Sequence, residues 1–223
     1  MTNPLELSLG IFEGVGVTAF AISGIVAGAN KRLDVFGIAV VAFSAAFGGG
    51  TLRDLLLDRA PYFWVANQGW VLVILSLALA GSILLRSRHI EPTKRAMQWP
   101  DAVGLGLFAT SGTQIALEAG VSPLVATLMG VVSATFGGII RDVLLNEIPW
   151  VVSSFQLYAI IAFTGGWLVW GLQEMGMDSI WTLALASAIT VVLRILAIML
   201  NWRLPGWGGP GGNLREHGAK SED

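Results

Sequence analysis

Arg53 and Asp54 stand side by side in FGGGTLRDLLLDRAP, residues 47–61, and Arg141 and Asp142 repeat the arrangement in FGGIIRDVLLNEIP, residues 136–149. Each charged pair follows a glycine cluster: Gly48, Gly49 and Gly50 in the first stretch, Gly137 and Gly138 in the second. A helix interrupted at glycine inside a bilayer would free carbonyls that could coordinate a cation. The half-helix that follows could attract an anion at its N-terminus. The other reading is that glycine only permits close helix contact. Occurrence in both stretches, with the same charges downstream, favours the interruption.

Gly49 and Arg53 are spaced i,i+4, as are Gly137 and Arg141, so each arginine lies on its glycine's face. Asp54 and Asp142 sit about 100° further round the helix. On that geometry they are expected to meet another helix rather than their own neighbouring arginine. Ionisable groups inside spans face a bundle interior or water, which makes Arg53, Asp54, Arg141 and Asp142 candidate pore charges. The alternative for both arginines is snorkelling to headgroups, and that is the expectation for Arg194. Ser23, Ser111, Thr51 and Ser133 are candidate polar pore lining, and Thr110, Thr113 and Gln114 add further polar groups. Interhelical hydrogen bonding explains such residues equally well. Glu13 and Asp101 are expected to open helices, where an acid is favoured; as equivalent acids they could also gather cations.

The elements that carry these residues read as membrane spans. Of 223 residues, 54% are hydrophobic and only 13% charged, with a mean hydropathy of +0.70. Soluble domains carry about 25% charged residues, and a span needs about 20 apolar ones. The chain is expected to be an all-α polytopic membrane protein with seven spans, near 9–29, 35–57, 65–85, 101–119, 122–145, 151–172 and 178–200. All nine tryptophans fall near span ends or just beyond, where an amphipathic indole prefers to sit. The start, MTNPLELSLG, lacks the basic region of a cleaved signal, so the first span is expected to remain.

Lys31, Arg32, Arg86, Arg88, Lys94, Arg95, Arg203, Arg215 and Lys220 collect on one side, and Arg59 stands almost alone on the other. The positive-inside rule then places the C-terminus in the cytoplasm and the N-terminus outside. Residues 1–200 form one transmembrane domain, and the Gly-rich, charged segment 203–223 is expected to be a disordered cytoplasmic tail. With no Cys, thiol and disulfide chemistry is excluded. His89 and His217 lie in a loop and the tail, and no G-x-S-x-G, H-E-x-x-H or P-loop occurs. The chain is read as no enzyme, with no resident metal or cofactor and no nucleic-acid partner.

An offset of 88 residues aligns 15–63 with 103–151 without a gap, pairing Phe20 with Phe108, Ser23 with Ser111, Gly49 with Gly137, Arg53 with Arg141 and Asp54 with Asp142. Glu13 falls opposite Asp101. Each copy, about 9–86 and about 101–172, holds three spans. An odd number sends the second copy in from the opposite face, as an inverted repeat with the helix near 178–200 outside the symmetry. Such folds place their permeation or binding site where the repeats meet.

The paired motifs FGGGTLRD (47–54) and FGGIIRD (136–142), set in three plus three inverted spans plus one, resemble those of the prokaryotic trimeric intracellular cation (TRIC) channels. The likeness runs over about residues 8–200. It implies a homotrimer in the bilayer, a pore inside each protomer, and potassium as the main permeant ion, with sodium admissible. It also implies that Gly48, Gly49, Gly50, Gly137 and Gly138 are kinks in pore helices and that Arg53 and Arg141 are the basic motif positions. Phe136 stands where a third glycine would be. Arginines alone argue for repelling cations, so cation selectivity follows from the resemblance; neutralisation by Asp54 and Asp142, or a voltage-moved arginine gate, would reconcile the two. A secondary transporter for a small zwitterion such as glycine is the alternative, and a non-conducting scaffold the third reading. A bacterial inner membrane is the expected location.

Overall fold

The computed structural model describes residues 4–87, 94–153 and 157–202. The segment 203–223, read above as a tail, lies outside the described residues, as do His89 and His217. Helices account for all regular structure among the described residues. In chain order they are α1 (Pro4–Asn30), α2 (Val35–Leu56), the single turn α3 (Phe63–Ala66), α4 (Gln68–Ser87), α5 (Lys94–Glu118), α6 (Pro123–Leu144), the single turn α7 (Trp150–Ser153), α8 (Tyr158–Glu174) and α9 (Ser179–Met199).

Local chemistry sets the helix ends. Asp34 begins α2, its carboxylate accepting the Gly37 N–H at 2.7 Å, and Asp178 does the same for α9 with Ile180 at 2.9 Å. Such caps satisfy donors that a helix start leaves open. The far ends of α2 and α6 are built alike. Asp58 and Asn146 take left-handed φ of 50° and 54°, a conformation these short polar side chains tolerate. The next residues, Arg59 and Glu147, then donate back to the Asp54 and Asp142 carbonyls at 2.8 and 2.9 Å.

Five helices, α1, α2, α4, α6 and α9, are long and apolar enough to cross a membrane. Solvent-facing Leu72, Leu79 and Ile83 on α4 and Val192 on α9 are what hydrocarbon requires of an outer surface. α5 and α8 differ from this pattern for separate reasons. α5 carries buried Thr110, Ser111, Thr113 and Gln114, and α8 has only 17 residues. Their polarity and length suit helices whose faces are covered by neighbours. Three boundaries shift from expectation: α1 starts at Pro4 rather than near residue 9, α5 starts before Asp101 and runs through Pro100, and the stretch expected at 151–172 gives α7 and α8.

At the centre α1 lies on α5 and α2 on α6, while α1 packs on α2 and α5 on α6. α4 flanks α1 and α2; α8 flanks α5 and α6 in the same way. α9 rests on α5 and α8. The contacts at the centre are reciprocal between positions 88 apart. Phe20 lies over Gly104 and Phe108 over Gly16, and the two rings meet with centroids 5.4 Å apart.

Candidate functional site: two buried charge clusters beside a glycine crossing

The glycine clusters do face each other across α2 and α6, but neither helix is interrupted there. Helical structure runs unbroken through Gly48–Gly50 and through Gly137–Gly138. The expected break, with freed carbonyls for a cation, is therefore corrected. The reason is visible in the packing. A Cβ on Gly49 would collide with the Ser133 carbonyl oxygen, and one on Gly137 with the Ala45 carbonyl oxygen. Positions 45 and 133 are equivalent under the 88-residue offset, so the crossing is the same contact made twice. Glycine serves here to let two continuous helices touch backbone to backbone, the small-residue packing familiar in membranes. Gly50 is different: a Cβ there would meet only ordinary contacts, 3.5 Å from the Phe108 ring.

Arg53 and Arg141 lie beyond the crossing on opposite sides, and both are fully buried rather than snorkelling. Arg53 donates to Glu13 Oε1 at 2.7 Å and to Asp54 Oδ1 at 2.9 Å, with a longer approach of 3.5 Å to Ser133 Oγ. Arg59, half exposed, reaches within 3.8 Å of Asp54. Arg141 donates to Asp101 Oδ1 at 2.6 Å, to Asp142 Oδ1 at 2.8 Å and to Ser23 Oγ at 2.6 Å. The Trp150 N–H donates to Asp142 Oδ2 at 3.1 Å, and the Trp150 ring covers the guanidinium at 5.4 Å.

These contacts correct two expectations. Asp54 and Asp142 do bind their own neighbouring arginines, because a guanidinium is long enough to fold back along the helix surface and close the angular gap. Glu13 and Asp101 do not start helices. They sit well inside α1 and α5, buried, as the second carboxylate for each arginine. In each half one cation thus faces two carboxylates. An unpaired ion in such surroundings costs several kcal/mol, so the pairing is what permits the charges there at all.

Arg194 is a further correction. Expected at the headgroups, it is 1% exposed, with its guanidinium carbon 4.6 Å from the Tyr158 ring centroid. Tyr158 donates its hydroxyl to Asp101 Oδ2 at 2.7 Å, so α9 is linked through α8 to the Arg141 cluster. Sequence reasoning missed Tyr158 altogether, since Trp70 occupies the matching place in the first half. The signal for Glu13 and Asp101 was available: each precedes its arginine by the same 40 residues.

The other polar candidates divide. Ser23 joins the Arg141 cluster and also donates to the Met97 carbonyl at 3.2 Å. Ser133 joins the Arg53 cluster. Ser111 turns back to the Leu107 carbonyl, and Thr51 bonds the Phe47 carbonyl and accepts from Trp64 Nε1. Thr110 meets Ser187 on α9 at 2.6 Å. Beyond Glu13, a cavity of about 650 Å³ opens where the start of α1 meets the ends of α5 and α8, with Glu6, Gln114, Glu118 and Gln173 on its wall.

A family model described as "Glycine transporter" matches residues 10–86 and again residues 98–174, two stretches offset by the same 88 positions. The UPF0126 inner membrane protein YadS of Escherichia coli (strain K12) is 34% identical over 192 residues, covering 86% of this chain and 92% of that protein. A solved TRIC trimeric intracellular cation channel orthologue from Rhodobacter sphaeroides is 34% identical, with a TM-score of 0.78 over 86% of this chain and 97% of that one. A solved prokaryotic TRIC channel in 0.5 M KCl is 32% identical, with a TM-score of 0.78 over 89% of this chain and 100% of that one.

Proposed function

The chain belongs to the prokaryotic trimeric intracellular cation (TRIC) channel family, and on that premise we propose that it is a potassium-permeable channel of the bacterial inner membrane. It works as a homotrimer with one pore in each protomer, between α1 and α2 of one half and α5 and α6 of the other. Seven helices cross the bilayer as three, three in the opposite sense, and α9. The N-terminus is outside and the C-terminus cytoplasmic. The reciprocal contacts of Gly49 with Ser133 and Gly137 with Ala45 support a twofold relation between the halves, as expected when a binding or permeation path runs between inverted repeats.

One observation carries the reading above the others: inside an apolar protein, two buried clusters flank the α2–α6 crossing, and in each the carboxylates outnumber the arginine. This removes the objection that arginines would repel cations. Each guanidinium is committed to two acids, so neither arginine stands as an unpaired cation beside the path. Where α2 and α6 touch, the path is shut; parting of the two helices opens it.

A glycine transporter is the second reading, and the description of the family model that matches both halves favours it. Reconstitution into liposomes separates the two. The channel reading expects potassium flux that rises with concentration without saturating and needs no coupled gradient. Saturable, gradient-driven glycine uptake in place of that flux would overturn it.

A further inference from the structure

The two charge clusters match in their arginine and two acids but not in the cation that comes fourth. Beside Asp54 that cation is Arg59, whose side chain is 49% exposed, so water and salt screen it. Beside Asp101 and Tyr158 it is Arg194, fully buried on a helix with no counterpart in the other half. The Arg53 half therefore keeps an excess of one carboxylate, and the Arg141 half has its excess cancelled inside the protein by a buried charge close to its acids. The ends of the molecule lean the same way. Glu6 and Glu118 line the cavity on the Arg53 side, whereas Lys31 pairs with Glu147 at the Arg141 end.

We propose that Arg194 is a positioning residue that makes the two halves electrically unequal, so that each protomer passes cations more readily from the Arg53 side than from the Arg141 side. The proposal rests on the channel reading. A mouth with net negative charge raises the local cation concentration, and the current is larger when ions enter through it. Arg194 acts through the field at Asp101 and Arg141. Its effect needs its charge and not its shape.

The test is single-channel recording of the full-length protein in symmetric KCl, with orientation fixed by a tag at the C-terminus. Wild type should rectify, with the larger current for cations entering from the Arg53 side. Arg194→Met should raise the opposite current roughly twofold, the effect of one unit charge at about 10 Å through water, and so flatten the curve. Arg194→Lys should restore the rectification. The difference should fade in 1 M KCl, where screening shortens to about 3 Å; a purely structural defect would persist. Ohmic wild-type currents at low salt overturn the inference without needing any variant, as does a Lys variant that behaves like Met. If wild type passes no cation current at all, the channel reading itself falls, and this inference with it.

Discussion

The Arg53 and Arg141 clusters begin from the same three residue positions and end as different sites. In both, an acid 40 residues upstream and an acid next in sequence hold one arginine. Around Arg141 a second layer closes over them: Ser23 accepts from the guanidinium, Trp150 covers it, Tyr158 holds Asp101, and Arg194 stacks on Tyr158. Around Arg53 the second layer is thin, with a long contact to Ser133 and a distant, half-exposed Arg59. A duplicated sequence can reproduce a core motif while its surroundings diverge, because the motif is specified by local spacing and the surroundings by whichever helix lies alongside. The unpaired ninth helix reaches only one of the two.

The largest expected effect on this comparison comes from removing the arginines. Among the described residues, Glu13 has Arg53 as its one hydrogen-bond partner, whereas Asp101 keeps Tyr158 and Asp142 keeps the Trp150 N–H. Arg53→Met should therefore cost about 3–5 kcal/mol, the range for breaking a buried pair, and Arg141→Met measurably less. Unfolding in mixed micelles would check this; equal losses would mean that the second layer around Arg141 holds nothing.

Next in size are the glycines at the crossing. Gly49→Ala and Gly137→Ala each set a methyl against a carbonyl of the facing helix. Each is expected to cost about 1–3 kcal/mol in the touching arrangement and to raise potassium flux by forcing α2 and α6 apart. Gly50→Ala should leave both unchanged. If all three alanines behave alike, helix propensity and not the crossing is responsible.

The smallest effect is Tyr158→Phe, which keeps the ring under Arg194 and deletes only the hydroxyl bond to Asp101. Leaving that buried carboxylate oxygen short of a donor should lower stability by about 1–3 kcal/mol, toward the lower end because Arg141 still serves Asp101. Thermal unfolding would show it. The effect should vanish in an Arg141→Met, Asp101→Leu background, where no acceptor is left for the hydroxyl; persistence there would place the hydroxyl's role elsewhere.

Much of this architecture was legible in the chain. Apolar length and the 88-residue offset placed the long helices and paired Arg53 with Arg141 and Gly49 with Gly137. Burial of both arginines was also a reading the residues allowed, since ionisable groups in spans face inward. Angular reasoning failed for Asp54 and Asp142 because it tracked Cβ directions and ignored the reach of arginine. Asp101 was misplaced because hydropathy ends a span at the first acid, and Glu13, inside a span expected from residue 9, because an acid so near a span's start reads as one favoured by the helix N-terminus. The helices continue past those acids, through Leu9 and Met97, since a carboxylate with a buried partner need not lie at an end. Arg194 gave no sign, as a snorkelling and a buried arginine six residues from a span end look identical in one dimension.

The amino-acid order by itself determined a helical membrane protein made twice over, since hydrophobic length and repeated residue types are local properties. Only the tertiary structure decided that the glycines join two unbroken helices, that each arginine takes two acids, and that α9 charges one half alone. Those outcomes depend on which helix faces which, and side chains far apart along the chain acquire their electrostatic partners only when packing brings them within a few ångströms in a medium too apolar to leave them unpaired.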